Sequence, residues 1–366
     1  MWNWEYNNWP NFDFTQNLNA PFEEKFLIDA GRILGANLLI DESDRQDLVI
    51  ELMSEEALKS SQIEGEYLNR DSIRASIRRQ FGLPADHRKV APGENGMAEM
   101  MLDTYQNFDQ PLSHEIMFAW HSSLMSGRTD LEVIGGYRKH KEPMQVVSGS
   151  LYNPKIHFEA PPSNRMKSEM GGFISWFNSS APDGASPMHA LARAAIAHLY
   201  FVSIHPFEDG NGRIARALSE KVLSQHLREP ALIALSHSIE KEKKSYYEQL
   251  EENQSGLKID RWVSYFSKTA ITAIERSKKL TRFVIDKAKL FDSVRDHLNE
   301  RQKKVILRMF REGVDGFEGG MSARNYISIA NTYHQQATRD LAKLVEMGAL
   351  RKEGRGKGTR YHLNLG

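Results

Sequence analysis

Apolar residues recur along most of this 366-residue chain at the three-to-four-residue spacing of helices, and runs of strand character are few. From Phe22 to Ile40 the apolar positions Phe22, Phe26, Ile28, Leu34, Leu38 and Leu39 predict a helix, and Asp44 to Gln80 reads as helical too. Pro84, Pro92, Gly93 and Gly96 then mark a linker. Ser113 caps a further helix with the stripe Ile116, Met117, Trp120 and Leu124. Gly135 and Gly136 open a stretch that ends in the β-formers Val146 and Val147, so residues 135–149 predict a short hairpin among helices. Residues 178–187 are a loop, after which Ala190, Ala192, Ala194, Ala195 and Ala197 predict a closely packed helix, and a long helix runs from Ile259 to about Leu290. The N-terminus departs from this pattern. Trp2, Trp4, Trp9, Pro10, Phe12 and Phe14 keep no period and predict an extended segment laid onto a helix layer.

Near the C-terminus the order of elements changes. A helix from Glu300 to Arg311 precedes a glycine-rich break, two short helical stretches flank Asn331 and Thr332, and two β-like runs surround a glycine turn after Gly348. Helix, helix, turn, helix, hairpin is the winged helix-turn-helix order. The expectation is a mainly α protein of three domains: an N-terminal helical domain 1–97, a helical core 98–292 with a short hairpin, and a winged helix 293–366.

Composition narrows the class. Hydrophobic residues at 40% and charged residues at 26% exclude a disordered or fibrous chain. Cysteine is absent, which removes disulfide scaffolds, thiol nucleophiles and cysteine zinc sites and fits a reducing, cytoplasmic setting. No signal peptide or membrane span is expected. The 48 basic and 48 acidic side chains cancel, yet residues 299–366 hold 13 basic and 7 acidic ones. Neutrality therefore hides a basic module on an acidic body. Arg351, Lys352, Arg355, Lys357 and Arg360 crowd the wing, and Thr338, Arg339 and Lys343 fall on the expected recognition helix.

The segment Ile204–Arg216, IHPFEDGNGRIAR, carries the chemistry. Gly210 and Gly212 flank Asn211, so consecutive backbone N–H groups can turn inward as an anion nest at a helix N-terminus. Arg213 and Arg216, three apart, share one helix face and suit further phosphate oxygens. Asp209 can hold Mg²⁺ by the usual single carboxylate, with phosphates and water completing the shell. His205 is the group there able to take a proton near neutral pH. The glycine spacing lacks the Lys and Ser or Thr of a P-loop. An EF-hand fails because Arg213 and Ile214 stand at its fifth and sixth positions.

HPFEDGNGRIAR resembles the Fic family motif HxFx(D/E)GNGRxxR at every defined position. GGYR at 135–138 is similar to the lead-in to the family's flap hairpin, SYYEQL to the segment carrying its tyrosine pair, and Ser60, Glu64 and Gly65 in SSQIEGE to its inhibitory pattern (S/T)xxxE(G/N). The N-terminal WNWEYNNWPNF resembles the opening of multidomain bacterial members that end in a winged helix. The resemblance implies a Fic-type helical core with a β-hairpin flap, and transfer of AMP from ATP, with Mg²⁺, to a Ser, Thr or Tyr hydroxyl of a target protein or of the chain itself. It makes His205 the base, Asp209 the metal ligand, and Gly210, Asn211, Gly212, Arg213 and Arg216 the phosphate site. Tyr246 and Tyr247 would lie near the adenine, and Val147, Ser148 and Gly149 on the flap beside nucleotide and target. A Glu64 carboxylate delivered to Arg216 would displace the γ-phosphate. Rival readings are a DNA-binding regulator with a nucleotide-sensing core, and removal of AMP by water activated through Glu64. The winged helix could meet DNA or a protein, and a homodimer is open.

Overall fold

The computed structural model describes all residues except 39, 87, 88, 151, 152, 232, 318 and 366, and it describes the backbone but not the side chains of 16, 18, 150, 153 and 357. Leu39 of the first expected helix, His87 and Arg88 of the expected linker, Glu318 of the C-terminal charge count and the Lys357 side chain of the wing therefore lie outside the described residues.

The elements run α1 (Ala20–Asn37), α2 (Glu42–Ile63), α3 (Arg70–Gln80), α4 (Pro92–Gln106), α5 (His114–Leu124), β1 (Gln145–Ser150), β2 (Asn153–Glu159) and α6 (Met166–Ser179). Next come α7 (Ala190–Ile204), α8 (Asn211–Leu227), α9 (Leu235–Lys241), α10 (Lys243–Asn253) and α11 (Asp260–Val294). The chain ends with α12 (Glu300–Arg311), α13 (Ala323–Ala330), α14 (His334–Glu346), β3 (Leu350–Glu353) and β4 (Arg360–Leu363). The fold is mainly helical, with one β-hairpin, β1–β2, and a second hairpin, β3–β4, after the C-terminal helices. The chain divides into two compact units, residues 1–35 with 49–277, and residues 36–48 with 278–366.

At the centre of the first unit, α7 is buried along its whole length. Its alanines leave room for neighbouring helices to approach closely, and the Trp262 indole N–H donates to the Ala195 carbonyl at 2.7 Å. No side chain of its own sequence caps α7. Glu23 of α1 does so instead, accepting from the N–H groups of Ala190 (2.7 Å) and Leu191 (2.9 Å). The N-terminal segment is laid onto this layer as its aromatic content suggests, but it is not extended: Asn3–Glu5 form a short 3-10 helix and turns follow to Pro10, so that the indoles can reach several partners. Asn3 donates to Ser203 Oγ (2.8 Å), the Trp4 indole to the Glu159 carbonyl (2.6 Å) and the Trp9 indole to Glu169 (2.9 Å), and the Trp9 ring meets Tyr200 edge-on at 5.1 Å.

Three further local expectations are corrected. The helical stretch 44–80 breaks at 64–69, because Gly65 takes φ +86°, a conformation that ends a helix, and Asn69 recaps α3 by accepting from Ser72 N–H at 3.0 Å. The linker is shorter than its prolines and glycines suggest. Pro92 sits in the first turn of α4, where its missing N–H costs nothing, and Glu94 accepts from Ala91 N–H. The hairpin lies later than 135–149. Residues 135–144 are irregular, and Gln145–Ser150 pairs antiparallel with Asn153–Glu159.

In the second unit, Val305, Ile306, Met309, Tyr326, Ala337, Leu341 and Leu344 form a core cluster. Asp340, 4% exposed, accepts from Tyr326 OH, Arg301 Nε and Gln336 Nε2, each at 3.0 Å. Asn331 at φ +48° makes the turn between α13 and α14, and β3–β4 pairs Leu350 with Leu363. No helix among the described residues is long and apolar enough to cross a membrane.

Candidate active site

The loop between α7 and α8 is held open by side chains of its own sequence and by a buried arginine. His205 ends α7 in the left-handed region at φ +51°, which turns the chain away from the helix axis. Phe207, fully buried, stacks on the His121 ring at 4.2 Å. Asn211 Oδ1 accepts from Phe207 N–H (3.0 Å) while its Nδ2 donates to the Phe207 carbonyl (2.8 Å), so the side chain closes the loop on itself. What Asn211 can offer a phosphate is its backbone N–H. Arg138, 1% exposed, donates to the carbonyl of His205 (2.8 Å), to Ser163 Oγ (2.8 Å) and to the Pro161 carbonyl.

The His205 ring lies with Nδ1 3.3 Å from the Val202 carbonyl. That contact selects the Nδ1–H tautomer and leaves Nε2 as a lone-pair acceptor. Burial lowers the imidazole pKa to about 4, so the ring is neutral at physiological pH. His205 lines a cavity of about 650 Å³ together with Glu64, Gly212, Tyr246 and Tyr247, and with Val146, Val147 and Ser148 of β1. Gly149 takes φ +91° at the next position of the strand. Tyr246 is buried with its hydroxyl on His198 Nε2 (2.8 Å), and the Tyr247 hydroxyl donates to the Ile63 carbonyl at 3.2 Å. His198 thus packs inside the fold, where burial lowers its pKa to about 3.

Two glycines lie in close contact with side chains of the site. Gly210 precedes α8 at φ +83°, and a Cβ there would stand 2.9 Å from Met125. A Cβ on Gly212 would stand 2.1 Å from Glu64 Oε1 and 3.2 Å from Arg216 Nη1. The Glu64 carboxylate therefore rests against the N-terminal turn of α8, and Arg216 Nη2 donates to it at 2.8 Å. Arg216 is 1% exposed and is also held by Ser60, through Nε to the hydroxyl and Nη2 to the carbonyl, each at 2.8 Å. Burial lowers its pKa, but Glu64 with Tyr246 and Tyr247 together outweigh that and the net shift is upward. Arg216 Nη1 and Arg213 Nε are buried without a hydrogen-bond partner among the described residues, which marks a place for a further acceptor.

Asp209 completes the constellation. Its Oδ1 accepts from Gly210 N–H (2.5 Å) and Arg213 Nη2 (3.3 Å), and Oδ2 accepts from Arg128 at 2.8 Å. Burial pushes this carboxyl up, but Arg213, Arg128 and the Gly210 N–H together hold it below the usual range. It is ionised, and an ionised oxygen donor suits a hard divalent cation. No cluster of three or more carboxylate or imidazole groups able to hold a metal exists among the described residues. Sequence reasoning missed two participants. Glu66 pairs with Arg213, and Arg128 bridges Asp209 and Asp130. Glu66 stands in the EGE triplet but past the helix end, so no helix periodicity points to it. Arg128 has no sequence signal.

Known proteins share parts of this arrangement. The Fic/DOC family profile matches residues 111–223, which include the whole loop. Over that stretch the chain is similar to the Fic/DOC family. Residues 2–83 match a domain of unknown function, DUF4172, and Glu64 falls within that stretch. The Fic adenylyltransferase of Nematostella vectensis is 32% identical over 118 residues, covering 32% of this chain and 26% of that protein. A uridine 5'-monophosphate transferase of Xanthomonas campestris is 30% identical over 130 residues, covering 33% of this chain and 22% of that protein. The chain thus spans about a quarter or less of the length of these curated relatives. A crystal structure of a Fic family protein from Desulfovibrio desulfuricans matches 97% of this chain and 98% of its own at TM-score 0.52 and 19% identity. Fic-1 from C. elegans matches 71% and 73% at TM-score 0.51 and 22% identity.

Proposed function

We propose that this Fic-domain chain is a nucleotidyltransferase that moves AMP from ATP to a protein hydroxyl, in a target or in itself, and that Glu64 restrains it. The observation that carries the reading is the position of Glu64: a carboxylate stands at the N-terminus of α8 and on Arg216, where an anionic phosphate finds a helix dipole and a guanidinium. Removing it would free Arg216 for the γ-phosphate and the Gly212 N–H for the oxygens nearer the reacting centre. Arg213 would then hold the β-phosphate, and the Tyr246–Tyr247 wall would receive the base. The free Nε2 of His205 takes the proton of the incoming hydroxyl as it attacks the α-phosphorus and pyrophosphate leaves. Asp209 would hold Mg²⁺, which neutralises phosphate charge when bound. An extended target segment adds to β1 as a strand, placing its hydroxyl by backbone pairing.

We further propose that the three segments 1–97, 98–292 and 293–366 divide the work as inhibitor, catalyst and docking module, the last carrying its charge to duplex DNA. The named relatives include both an adenylyltransferase and a uridylyltransferase, so the donor is tested directly. Glu64→Gly protein offered ATP and UTP at equal concentration should take up AMP at least about tenfold faster than UMP, and about tenfold or more faster than wild type takes up AMP. Preferential UMP uptake would contradict the ATP assignment.

A further inference from the structure

The hairpin that borders the cavity carries a second imidazole that the proposed mechanism does not use. His157 of β2 falls where the β1–β2 register slips: Val146 opposes Phe158 and Val147 opposes Ile156, so His157 is the extra residue of a bulge. A bulge re-aims its side chain, and here the ring turns to both sides at once. Its Nε2 lies 2.6 Å from the Ser148 hydroxyl on β1, and its Nδ1 lies 2.7 Å from Glu251 Oε2 on α10. The other oxygen of Glu251 pairs with Lys155 at 3.0 Å, which fixes the carboxylate. A hydroxyl, an imidazole and an orienting carboxylate in series is the arrangement that activates a serine nucleophile. With Nδ1–H given to Glu251, Nε2 is the acceptor facing Ser148. Ser148, His157 and Glu251 all line the same cavity as His205 and Gly212, and Ser148 is exposed.

We propose that Ser148 is a self-modification site, accepting a nucleotidyl group from a nucleoside triphosphate bound in the cavity, with His157 as its own base. The inference rests on the nucleotidyltransfer reading given above. In the step, Ser148 Oγ bonds to the α-phosphorus, the bond from that phosphorus to the bridging oxygen of the β-phosphate breaks, and pyrophosphate leaves. The hydroxyl proton passes to His157 Nε2, and Glu251 steadies the resulting imidazolium. The product is a phosphodiester with one negative charge, next to Lys155 and inside the space a new nucleotide needs. Modification would therefore close the site and disrupt strand addition on β1, limiting the enzyme when no target is present.

The test uses the full-length Glu64→Gly protein with ATP and Mg²⁺, proteolysed and read by tandem mass spectrometry. Expected is one nucleotidyl group on Ser148 Oγ. In the Glu64→Gly background, His157→Gln should lower occupancy at Ser148, measured relative to label on all other hydroxyls, by about tenfold or more, while Ser148→Thr keeps a labelled hydroxyl at that position. Label on other hydroxyls with none on Ser148 overturns the inference and leaves the nucleotidyltransfer reading standing. Unchanged relative occupancy in His157→Gln overturns the role of His157. Absence of transfer to any hydroxyl, of this chain or of added protein, sinks both.

Discussion

At His205 the surroundings decide more than the side chain. Burial lowers its pKa to about 4, so at neutral pH nearly every molecule holds the ring as a base. Protonation, which destroys the base, requires the pH to fall toward that value. AMP transfer by the Glu64→Gly protein should consequently be flat from about pH 6 to about pH 8 and fall only in the more acid range. Measured initial rates that instead halve near pH 6.5, the value of an unperturbed imidazole, would show that another group supplies the base. The loop was legible in the sequence because His205, Asp209, Gly210, Gly212, Arg213 and Arg216 stand within one short run. Asn211 was legible as a position but not as a function, since its bonds to Phe207 depend on how the loop folds back. Glu66 and Arg128 reach the site from other segments, and distance along the chain hides such partners.

Among the elements, α7 and α8 position everything else, and α7 depends on a cap from outside. Glu23 satisfies two N–H groups at its first turn, so Glu23→Ala should cost about 1 kcal/mol of stability, seen as a lower midpoint in denaturant with unchanged slope. A wild-type midpoint would mean that water serves those groups equally well. Periodicity located most helices, since amphipathic spacing survives whatever the tertiary partners are. It misplaced features set by one residue's backbone. Gly65 interrupts a continuous helical pattern at φ +86°, and Pro92 opens a helix although it reads as a breaker. The β1–β2 hairpin also lay beyond the expected range. Gly135 and Gly136 look like the opening of a hairpin, yet Arg138 is drawn inward to the loop carbonyls and residues 135–144 stay irregular.

On the scale of the whole molecule, zero net charge divides into an acidic body and a C-terminal stretch with an excess of six positive charges over residues 299–366. Within the second unit, Thr338, Arg339 and Lys343 are exposed on α14, and Arg351, Lys352 and Arg355 are exposed on or beside β3. Such a surface meets phosphates with a salt-dependent affinity. Full-length protein should be retained on random duplex DNA at low salt, and Arg339→Glu with Lys343→Glu should flatten the dependence of log affinity on log salt by about 2. Binding that ignores salt, or a double variant with the same slope, would direct attention to a protein partner.

The transfer reaction itself is tested most directly by α-labelled ATP given to the Glu64→Gly protein and to Glu64→Gly carrying His205→Ala, with ATP affinity measured in both. The single variant should label protein, and the double variant should lose label at hydroxyls other than Ser148, which has His157 beside it, by a factor of about 10²–10⁴ with affinity retained. Equal labelling of those other hydroxyls in the two proteins would contradict the assignment of His205 as the base and, with it, the reaction proposed for this site.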